Sequence, residues 1–321
     1  MDAMPSTLEA ALAGDQRAFA ELVAPHRHEL TVHCYRMLAS ADDADEAVQE
    51  TLLAAWRGLS GFQGRSSLRA WLYRIATNVC LRMAERRPSR VLSFDAAAPR
   101  DPLGDLGAPR DDIAWLEPWI ESPDEPAEAA TRRETIGLAF IAALQHLPAN
   151  QRAVLILRDV LDFSAAETAE LLDTSVGSVT SALQRARQTV ADRIPERPER
   201  HDTLDAERQG IVAAFVAAFE RGDVPALVGL LADDVRFTMP PLAAWFEGVT
   251  DVAAFLEHRS VVTPWRVTRV LEVNGEPALL GVQERDGAWQ PSALMVLSIH
   301  DGRIDWIASF LDPRELFRAE R

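Results

Sequence analysis

Cysteine, lysine and long apolar runs are scarce or missing in this 321-residue sequence. The two cysteines, Cys34 and Cys80, form no CxxC pair, which favours two small buried residues over metal ligands. His26, His28 and His33 lie close to Cys34, but His28 and His33 are five residues apart on a predicted helix and face different ways, so we expect no metal site. Since no run of 18 apolar residues and no signal peptide is found, we expect a soluble, cytoplasmic protein without a membrane partner.

Positive charge is also scarce. The formal net charge is −16 and all 33 basic residues are arginine, which for the chain as a whole argues against nucleic-acid binding. One segment is an exception: residues 57–90 carry eight arginines and one acid, a net charge of +7, whereas segments 1–56, 91–133, 134–200 and 201–321 carry −7, −6, −2 and −8. A basic block in an acidic chain predicts a phosphate-binding surface whose surroundings repel DNA. Such a protein is suited to gripping DNA only when a larger assembly holds it.

Residues 163–187 have the pattern of a helix-turn-helix. Ser164 and Glu167 have capping-box spacing, and a turn is predicted at residues 173–175 between two helices. The inward residues are Ala165, Ala169 and Leu172 in the first helix and Val179, Leu183 and Ala186 in the second. The outward residues of the second helix are Ser178, Thr180, Ser181, Gln184, Arg185 and Arg187. Short polar side chains with Arg and Gln are what contact with base edges and phosphates requires. An ordinary helical hairpin with a solvated polar face is the alternative.

Several stretches together carry a family resemblance. They are DADEAVQETLLAAW from Asp43, AWLYRIATN at Ala70–Asn78, ALQHLPANQRAVLILRDVLDFSAAETAELL at Ala143–Leu172 and SALQRAR at Ser181–Arg187. This order resembles region 2 followed by region 4 of the extracytoplasmic-function sigma factors, the smallest bacterial sigma-70-type initiation factors. The resemblance implies a non-enzymatic protein that needs no cofactor. It also implies that the protein binds core RNA polymerase, through the β′ clamp helices and the β flap, and directs promoter-specific initiation. A DNA-binding regulator that acts without polymerase is the alternative, but it leaves the acidic helix near residue 46 unexplained.

The helix predicted at Asp42–Leu59 is the polymerase-binding element by this resemblance. A plain solvated helix would also carry acids, so pattern alone does not distinguish the two. The implied polymerase contacts are Glu46, Gln49, Glu50, Leu53 and Trp56.

The basic block contains the implied −10 element site. A Gly- and Ser-rich loop, Gly61–Ser67, corresponds to the loop that captures a flipped base, and the next helix runs beside the opened strand. The implied −10 contacts are Arg65, Ser66, Arg69, Trp71, Arg74, Asn78, Arg82, Arg86 and Arg87. Aromatic and Arg groups can stack on unpaired bases, and Asn can read a base edge. Trp71 shares a helical face with Ile75 and Val79, so a core position is its alternative.

A flexible linker is predicted at residues 91–130 from its Pro, Gly and Asp content. It contains WLEPW at Trp115–Trp119, which resembles the WLxP-type linker signature of sigma factors with a C-terminal extension. Because exposed tryptophans in a tether are unfavourable, we expect Trp115 and Trp119 to dock on the C-terminal part; an adventitious apolar spot is the alternative.

The C-terminal part is predicted as an α+β unit. Helices at Asp205–Arg221 and Pro225–Leu231 precede strands at Val235–Met239, Trp265–Val273, Ala278–Glu284, Ala293–His300 and Arg303–Phe310. Asn274-Gly275, Asp286-Gly287 and Asp301-Gly302 predict tight hairpins in an antiparallel meander. This pattern resembles the cone-shaped SnoaL-like fold shared with ketosteroid isomerase.

Such a cone has a pocket, which keeps a small-molecule ligand possible as a partner. Its candidate lining is mostly apolar: Met239, Trp245, Phe246, His258, Trp265, Gln283, Trp289, Met295 and Trp306. The acids Asp233, Asp234 and Asp305 lie at turns or strand starts, so no convincing catalytic base is found. A regulatory module is therefore favoured over a ligand sensor or an enzyme.

Taken together, these patterns predict a multidomain protein. All-α region 2 and region 4 domains occupy residues 1–90 and 131–195, joined by the linker at 91–130, and a SnoaL-like α+β domain that modulates activity occupies 196–321.

Overall fold

The structure is a computed structural model that describes residues 3–64, 66–120, 137–193 and 206–311. Its first helical unit contains α1 at Ala3–Leu12, α2 at Gln16–Val23, α3 at Arg27–Leu38, α4 at Ala41–Gly58 and α5 at Leu68–Arg86. Serine hydroxyls start the two longest: Ser40 Oγ accepts from the Asp43 amide at 3.1 Å in α4, and Ser67 Oγ accepts from the Ala70 amide at 3.1 Å in α5. The acidic helix predicted at 42–59 is α4, shifted by one residue at each end.

Helices α3, α4 and α5 pack around one core. Cys34 and Cys80 are fully buried in it, as predicted. His33 is also buried, with Nε2 2.9 Å from the Thr77 hydroxyl, and burial lowers the pKa of its ring to about 3. The ring is therefore neutral near pH 7. Within the described ranges, no three His, Cys, Asp or Glu side chains lie together as a metal site, and no helix is long and apolar enough to cross a membrane.

Residues 91–120, predicted as part of a flexible linker, are instead packed against the rest of the protein. They contain one helical turn, α6 at Ser93–Ala96, and the Leu116 amide donates to the Val91 carbonyl at 2.9 Å. Leu92 and Leu116 are almost completely buried, and this apolar anchoring holds the segment. Composition did not indicate this packing, because the two leucines lie far apart in a stretch rich in Pro, Gly and Asp. Residues 121–130 of the predicted linker lie outside the described residues.

The second helical unit carries the predicted helix-turn-helix. It contains α7 at Leu138–Gln145, α8 at Ala149–Leu155, α9 at Ala165–Leu171 and α10 at Val176–Arg193. Helix α8 continues through a wider turn at Ile156–Val160. The turn between α9 and α10 passes through Asp173 at φ 50°, a left-handed conformation that Asp tolerates. The helix-turn-helix prediction is therefore confirmed.

The C-terminal unit is the predicted α+β fold. Its helices are α11 at Ala206–Arg221, α12 at Val224–Val228 and α13 at Val249–Phe255. Its strands are β1 at Leu231–Thr238, β2 at Trp245–Glu247, β3 at Trp265–Val273, β4 at Glu276–Arg285, β5 at Ala288–His300 and β6 at Arg303–Leu311. In the described part of the chain these strands form one sheet in the order β2-β1-β6-β5-β4-β3.

The sheet is mixed. Strands β3 to β6 form the predicted antiparallel meander, whereas β1 pairs parallel with β6 and antiparallel with β2, a short strand that the sequence pattern did not reveal. The hairpin predictions are confirmed: Asn274, Asp286 and Asp301 have φ of 54°, 53° and 48°, and each precedes a glycine with positive φ.

The two faces of this sheet have different neighbours. One face packs on α11 and α13 with buried residues such as Phe215, Phe237 and Phe255. The other face contributes Ala278, Val296 and other apolar residues to the core that contains the two helical units. The C-terminal unit is thus joined to the rest of the protein through an apolar sheet face and not only through a tether.

Candidate nucleic-acid interface

A capping box fixes the start of α9. The Glu167 amide donates to Ser164 Oγ at 3.2 Å, and the Ser164 amide donates to Glu167 Oε2 at 2.8 Å. These hydrogen bonds from Ser164 keep the pKa of the Glu167 carboxyl below its usual value. The first helix of the pair therefore begins where the sequence predicted, and this positions the turn into α10.

Helix α10 presents one polar face. Val179, Leu183 and Ala186 are buried, as predicted. The six predicted −35 residues are all exposed: Ser178, Thr180, Ser181, Gln184, Arg185 and Arg187. The Ser178 amide bonds to Ser175 Oγ at 3.1 Å, so a serine also caps this helix. The geometry leaves a row of short polar groups and arginines open at the surface.

Arg187 differs from the others because it is ion-paired. Its Nη2 and Nε lie 2.6 and 2.9 Å from the two carboxylate oxygens of Asp159, which sits in the wider turn after α8. This hydrogen-bonded pair raises the pKa of the guanidinium. The helix-turn-helix pattern did not indicate this partner, because Asp159 precedes it in the chain.

Helix α4 presents the predicted polymerase face. Glu46, Gln49, Glu50 and Leu53 are exposed, and Leu53 retains 55% of its surface. Trp56, predicted with them, is half-buried, and its ring centroid lies 5.1 Å from that of Phe19 in α2. Four of the five residues therefore lie open, while Trp56 is partly used in packing.

Helix α5 carries a stripe of exposed polar residues at successive i, i+4 positions. They are Arg74, Asn78, Arg82 and Arg86. No ion pair to any of these three arginines is found within the described part of the chain. Side chains at this spacing lie on one side of a helix, so the stripe is a continuous basic strip with an amide in it.

Other predicted −10 residues have partners inside the protein. Arg69 Nε lies 2.7 Å from Glu29 Oε2, and its guanidinium lies over the Tyr73 ring at 4.8 Å. Trp71 is half-buried against Phe62, with ring centroids 5.1 Å apart. Arg69 and Trp71 are therefore not the open contacts that the basic block suggested, because contacts distant in the sequence occupy them.

Arg87 is likewise paired, with Asp43 and, at 2.8 Å, with Glu46 of α4. Ser66 is exposed in the loop, and Arg65 lies outside the described residues. The ion pair between Arg87 and Glu46 thus joins a predicted DNA residue to a predicted polymerase residue.

Trp119 lies where the linker, the first helical unit and the C-terminal unit meet. Its ring centroid is 5.2 Å from that of Tyr35 in α3. Asn274, in the β3–β4 turn, accepts from the Trp119 amide at 3.0 Å through Oδ1 and donates its own amide to the Trp119 carbonyl at 3.1 Å. The Tyr35 hydroxyl reaches the Glu117 carbonyl at 2.8 Å and Asn274 Oδ1 at 3.3 Å. We call Tyr35, Glu117, Trp119 and Asn274 the three-way junction.

Glu117 and Trp115 attach the linker to the first helical unit. Arg90 donates to Glu117 Oε1 at 2.6 Å and to the Trp115 carbonyl at 2.9 Å, and Glu117 Oε2 accepts from the Ala41 amide at the start of α4. A carboxylate at a helix N-terminus is favourable. The Trp115 indole donates to the Arg110 carbonyl at 2.9 Å, so this ring bonds within the linker while Trp119 contacts the C-terminal unit.

Helix α6 connects the linker to both other units. Ser93 Oγ donates to the Leu242 carbonyl at 2.9 Å, and the Phe94 ring lies 6.0 and 6.2 Å from Trp306 and Trp245. In the other direction, Asp95 Oδ1 lies 2.9 Å from His146 Nε2 and 3.6 Å from Arg193 Nη1 of the second helical unit. One helical turn therefore contacts the C-terminal unit on one side and the second helical unit on the other.

The two helical units also touch directly. Arg152 of α8 is 3% exposed and donates to the Met37 carbonyl at the end of α3, and also to the carbonyls of Leu144, Gln145 and Leu147 in its own unit. Burial lowers the pKa of Arg152 to about 10. The Tyr73 and Phe163 rings meet edge to face at 5.6 Å. Helix α5 therefore packs against the helix-turn-helix.

The predicted pocket lining of the C-terminal unit divides into several groups. Met239, Phe246, Trp265 and Met295 belong to the core between the sheet and its helices. Trp245 and Trp306 face Phe94 of α6, and Gln283 is buried and accepts from Arg285 at 3.1 Å. His258 and Trp289 are exposed, and Arg266 covers the Trp289 ring at 4.4 Å. The residues thus do not surround one common space.

This unit also contains a buried acid that the sequence pattern did not indicate. Glu276, the first residue of β4, is buried with Ser298 Oγ 3.4 Å from its Oε1, while its Oε2 and Asp305 Oδ1 are buried without a hydrogen-bond partner among the described residues. Burial, together with the Asp305 charge, raises the pKa of Glu276 to about 8. His300 pairs with Asp305 at 2.9 Å, and this bond raises the pKa of the imidazole. The only signal in the sequence was a charged residue directly after an Asn-Gly turn.

Comparison with known proteins agrees with this architecture. Family models of Sigma-70 region 2 and of Sigma-70, region 4 match residues 22–89 and 137–190, and the model of the SnoaL-like domain matches residues 212–305. The ECF RNA polymerase sigma factor SigG of Mycobacterium tuberculosis is 40% identical over 306 residues, which cover 93% of this chain and 82% of the relative. The RNA polymerase sigma-H factor of Pseudomonas aeruginosa is 32% identical over 177 residues, covering 55% of this chain and 86% of the relative.

A solved structure extends the likeness to the whole fold. The crystal structure of the Mycobacterium tuberculosis extracytoplasmic function sigma factor SigJ superposes with a TM-score of 0.63 at 21% identity, covering 93% of this chain and 98% of that one. Two helical units in the order of region 2 and region 4, a helix-turn-helix with an open polar face, and a near full-length relative lead to one assignment. The chain belongs to the extracytoplasmic-function (ECF) RNA polymerase sigma factors and carries a SnoaL-like domain after region 4.

Proposed function

We propose that this sigma factor binds core RNA polymerase through α4 and promoter DNA through α5 and α10. The exposed face of Glu46, Gln49, Glu50 and Leu53 is the polymerase contact in this proposal. The face of α10 contacts the −35 element, and the basic strip of α5 contacts the opened −10 strand. The open polar face of α10 supports the DNA assignment most directly, since its six residues are exposed while the apolar stripe is buried.

We further propose that the described arrangement is a closed form. The −35 and −10 elements lie about 25 base pairs apart, which is roughly 85 Å of duplex at about 3.4 Å per base pair. Here α5 packs against the helix-turn-helix, with the Tyr73 and Phe163 rings 5.6 Å apart. Helices in direct contact cannot reach two sites so far apart. The two helical units must therefore separate before both elements are bound.

The C-terminal domain has the contacts needed to set this equilibrium. The three-way junction holds the linker against both the first helical unit and the β3–β4 turn, and α6 joins the linker to the second helical unit through Asp95. Any change at the C-terminal domain that loosens the linker also loosens the closed form. The domain thus acts as a regulatory module that shifts a population of closed and open forms.

The DNA assignment is tested with Arg185→Ala. Arg185 is exposed on the open face of α10, so its loss removes one promoter contact and leaves the buried stripe intact. We expect holoenzyme reconstituted with this variant to bind promoter DNA about tenfold more weakly in a gel-shift titration, with unchanged circular dichroism. Unchanged affinity would contradict the assignment. Co-purification with core polymerase distinguishes the proposal from a regulator that acts without it.

A further inference from the structure

Arg187 and Asp159 form the best-defined ion pair on the proposed promoter-binding surface. Two parallel hydrogen bonds join them, Nη2 to Oδ1 at 2.6 Å and Nε to Oδ2 at 2.9 Å. A two-bond pair of this kind fixes the plane of the guanidinium as well as its position. The two residues come from different elements, since Asp159 follows α8 and Arg187 lies in the second half of α10.

The two members of the pair differ in exposure. The Asp159 side chain is 8% exposed, whereas the Arg187 side chain is 59% exposed. A guanidinium has five N–H donors, and this pair uses two of them. Three N–H donors remain on a side chain that is largely exposed. Asp159 therefore anchors the inner edge of Arg187 and leaves its outer edge available.

The place of Arg187 on α10 suits contact with a phosphate. It lies seven residues after Thr180, so the two share a line along the helix. That line runs at the border between the buried stripe of Val179, Leu183 and Ala186 and the exposed polar face. When a helix lies in the major groove, side chains on its flanks face the sugar-phosphate backbone, and central ones face base edges.

We propose that Asp159 is a positioning residue for promoter binding, which holds Arg187 so that its free N–H donors meet a phosphate of the −35 element. The inference rests on the proposed contact between α10 and DNA. It adds a residue that does not touch DNA to the set that determines promoter affinity.

The proposal and its main competitor predict opposite signs. If Asp159 only competed with DNA for Arg187, removing its negative charge would strengthen binding to the phosphate backbone. If Asp159 positions Arg187, removing its charge frees the guanidinium to rotate, and binding weakens. Asp192 supplies a matched control, because it is an exposed acid on the same helix that pairs with neutral Gln188 at 2.8 Å.

The experiment is a gel-shift titration of full-length holoenzyme on a promoter fragment over a series of salt concentrations. Asp159→Asn, Asp159→Glu, Arg187→Ala and Asp192→Asn are compared with the intact chain. We expect Arg187→Ala to weaken binding about tenfold and to reduce the salt slope by about one, as for the loss of one phosphate contact. Asp159→Asn should weaken binding roughly fivefold, with part of the affinity regained in Asp159→Glu, which keeps the carboxylate. Asp192→Asn should bind as tightly as the intact chain or more tightly.

Tighter or unchanged binding by Asp159→Asn would overturn the inference. A folding defect would be recognised separately, because it would lower the thermal midpoint of Asp159→Asn below that of the intact chain. Asp159→Glu would then show whether the carboxylate restores affinity in a variant with the same midpoint as Asp159→Asn. Arg185→Ala distinguishes a failure of this inference from a failure of the proposed contact between α10 and DNA, on which it rests. If Arg185→Ala and Arg187→Ala both leave affinity unchanged, the proposed contact between α10 and DNA fails; if Arg185→Ala weakens binding and Asp159→Asn does not, only the positioning role fails.

Discussion

At the residue scale, charged groups in this protein are distinguished by their partners more than by their type. Arg74, Arg82 and Arg86 form an open basic strip, whereas Arg69 and Arg152 are used inside the protein. A buried guanidinium that donates to four carbonyls is satisfied in hydrogen bonding, yet it has lost its water. Of these four bonds only the one to the Met37 carbonyl joins the two helical units, so it is the bond that is lost if the units separate, and it marks the proposed closed form.

Glu276 gives a prediction about pH. Its ordinary pKa of 4.5 is raised to about 8 by burial and by Asp305, so between these values the folded protein holds a proton that the unfolded chain has released. The free energy of unfolding should therefore fall as pH rises through this window and level off above about pH 8. Glu276→Gln should remove this contribution, which amounts to a few kcal/mol for a shift of this size.

The measurement is urea unfolding of both chains at several pH values between 6.5 and 9. His33 does not interfere, because its lowered pKa of about 3 makes it affect stability mainly below pH 6.5. His300, whose pKa is raised by its bond to Asp305, also titrates in this window, but it is present in both chains, so the comparison isolates Glu276. As pH rises, the free energy of unfolding should fall more steeply for the intact chain than for Glu276→Gln, and the difference in slope should correspond to about one bound proton. Parallel curves would show that Glu276 is already ionised in the folded protein.

At the element scale, the sequence predicted the helix-turn-helix, α4, the three hairpin turns and the long strands, because each has a local signal. Each signal is contained in a few neighbouring residues: the capping box, the Asn-Gly and Asp-Gly turns, and the periodic apolar positions. The packed linker, β2 and the parallel pairing of β1 with β6 had no such signal. They depend on Leu92, Leu116 and sheet partners that lie far apart in the chain.

The candidate site divides in the same way. Outward positions on α10 follow from helical period, so all six predicted −35 residues are exposed. The partners of Arg69, Arg87 and Arg187 do not follow from period, because Glu29, Asp43 and Asp159 come from other helices or turns. A basic block counted along the sequence therefore overestimates the number of free arginines.

Helix α5 yields a prediction about promoter opening. Asn78 is the amide in its basic strip, so it should act on unpaired bases, whereas Arg82 should contact phosphates. Asn78→Ala should reduce initiation on a duplex promoter and recover at least in part on a template premelted over the −10 element. Arg82→Ala should be impaired on both templates. Abortive initiation assays with both templates measure this, and equal defects of Asn78→Ala on the two would point to misfolding or to a phosphate role.

At the scale of the whole molecule, three units converge on one linker. Trp119 packs on Tyr35 of the first helical unit and bonds to Asn274 of the C-terminal domain, while Asp95 reaches His146 of the second helical unit. Burial of an indole and the hydrogen bonds around it contribute on the order of a few kcal/mol, enough to change a closed population by orders of magnitude. In our proposal, the C-terminal domain thereby controls the distance between the two proposed DNA-binding surfaces.

Multi-round transcription by reconstituted holoenzyme tests this central claim most directly. Trp119→Ala removes the ring from the three-way junction. Trp289→Ala is the matched control, since Trp289 lies in the C-terminal domain outside the junction, with its ring under Arg266. At matched sigma concentration, with folding checked by circular dichroism, we predict that Trp119→Ala raises promoter-specific transcript several-fold while Trp289→Ala leaves it unchanged. Transcription by Trp119→Ala at the level of the intact protein would contradict the account.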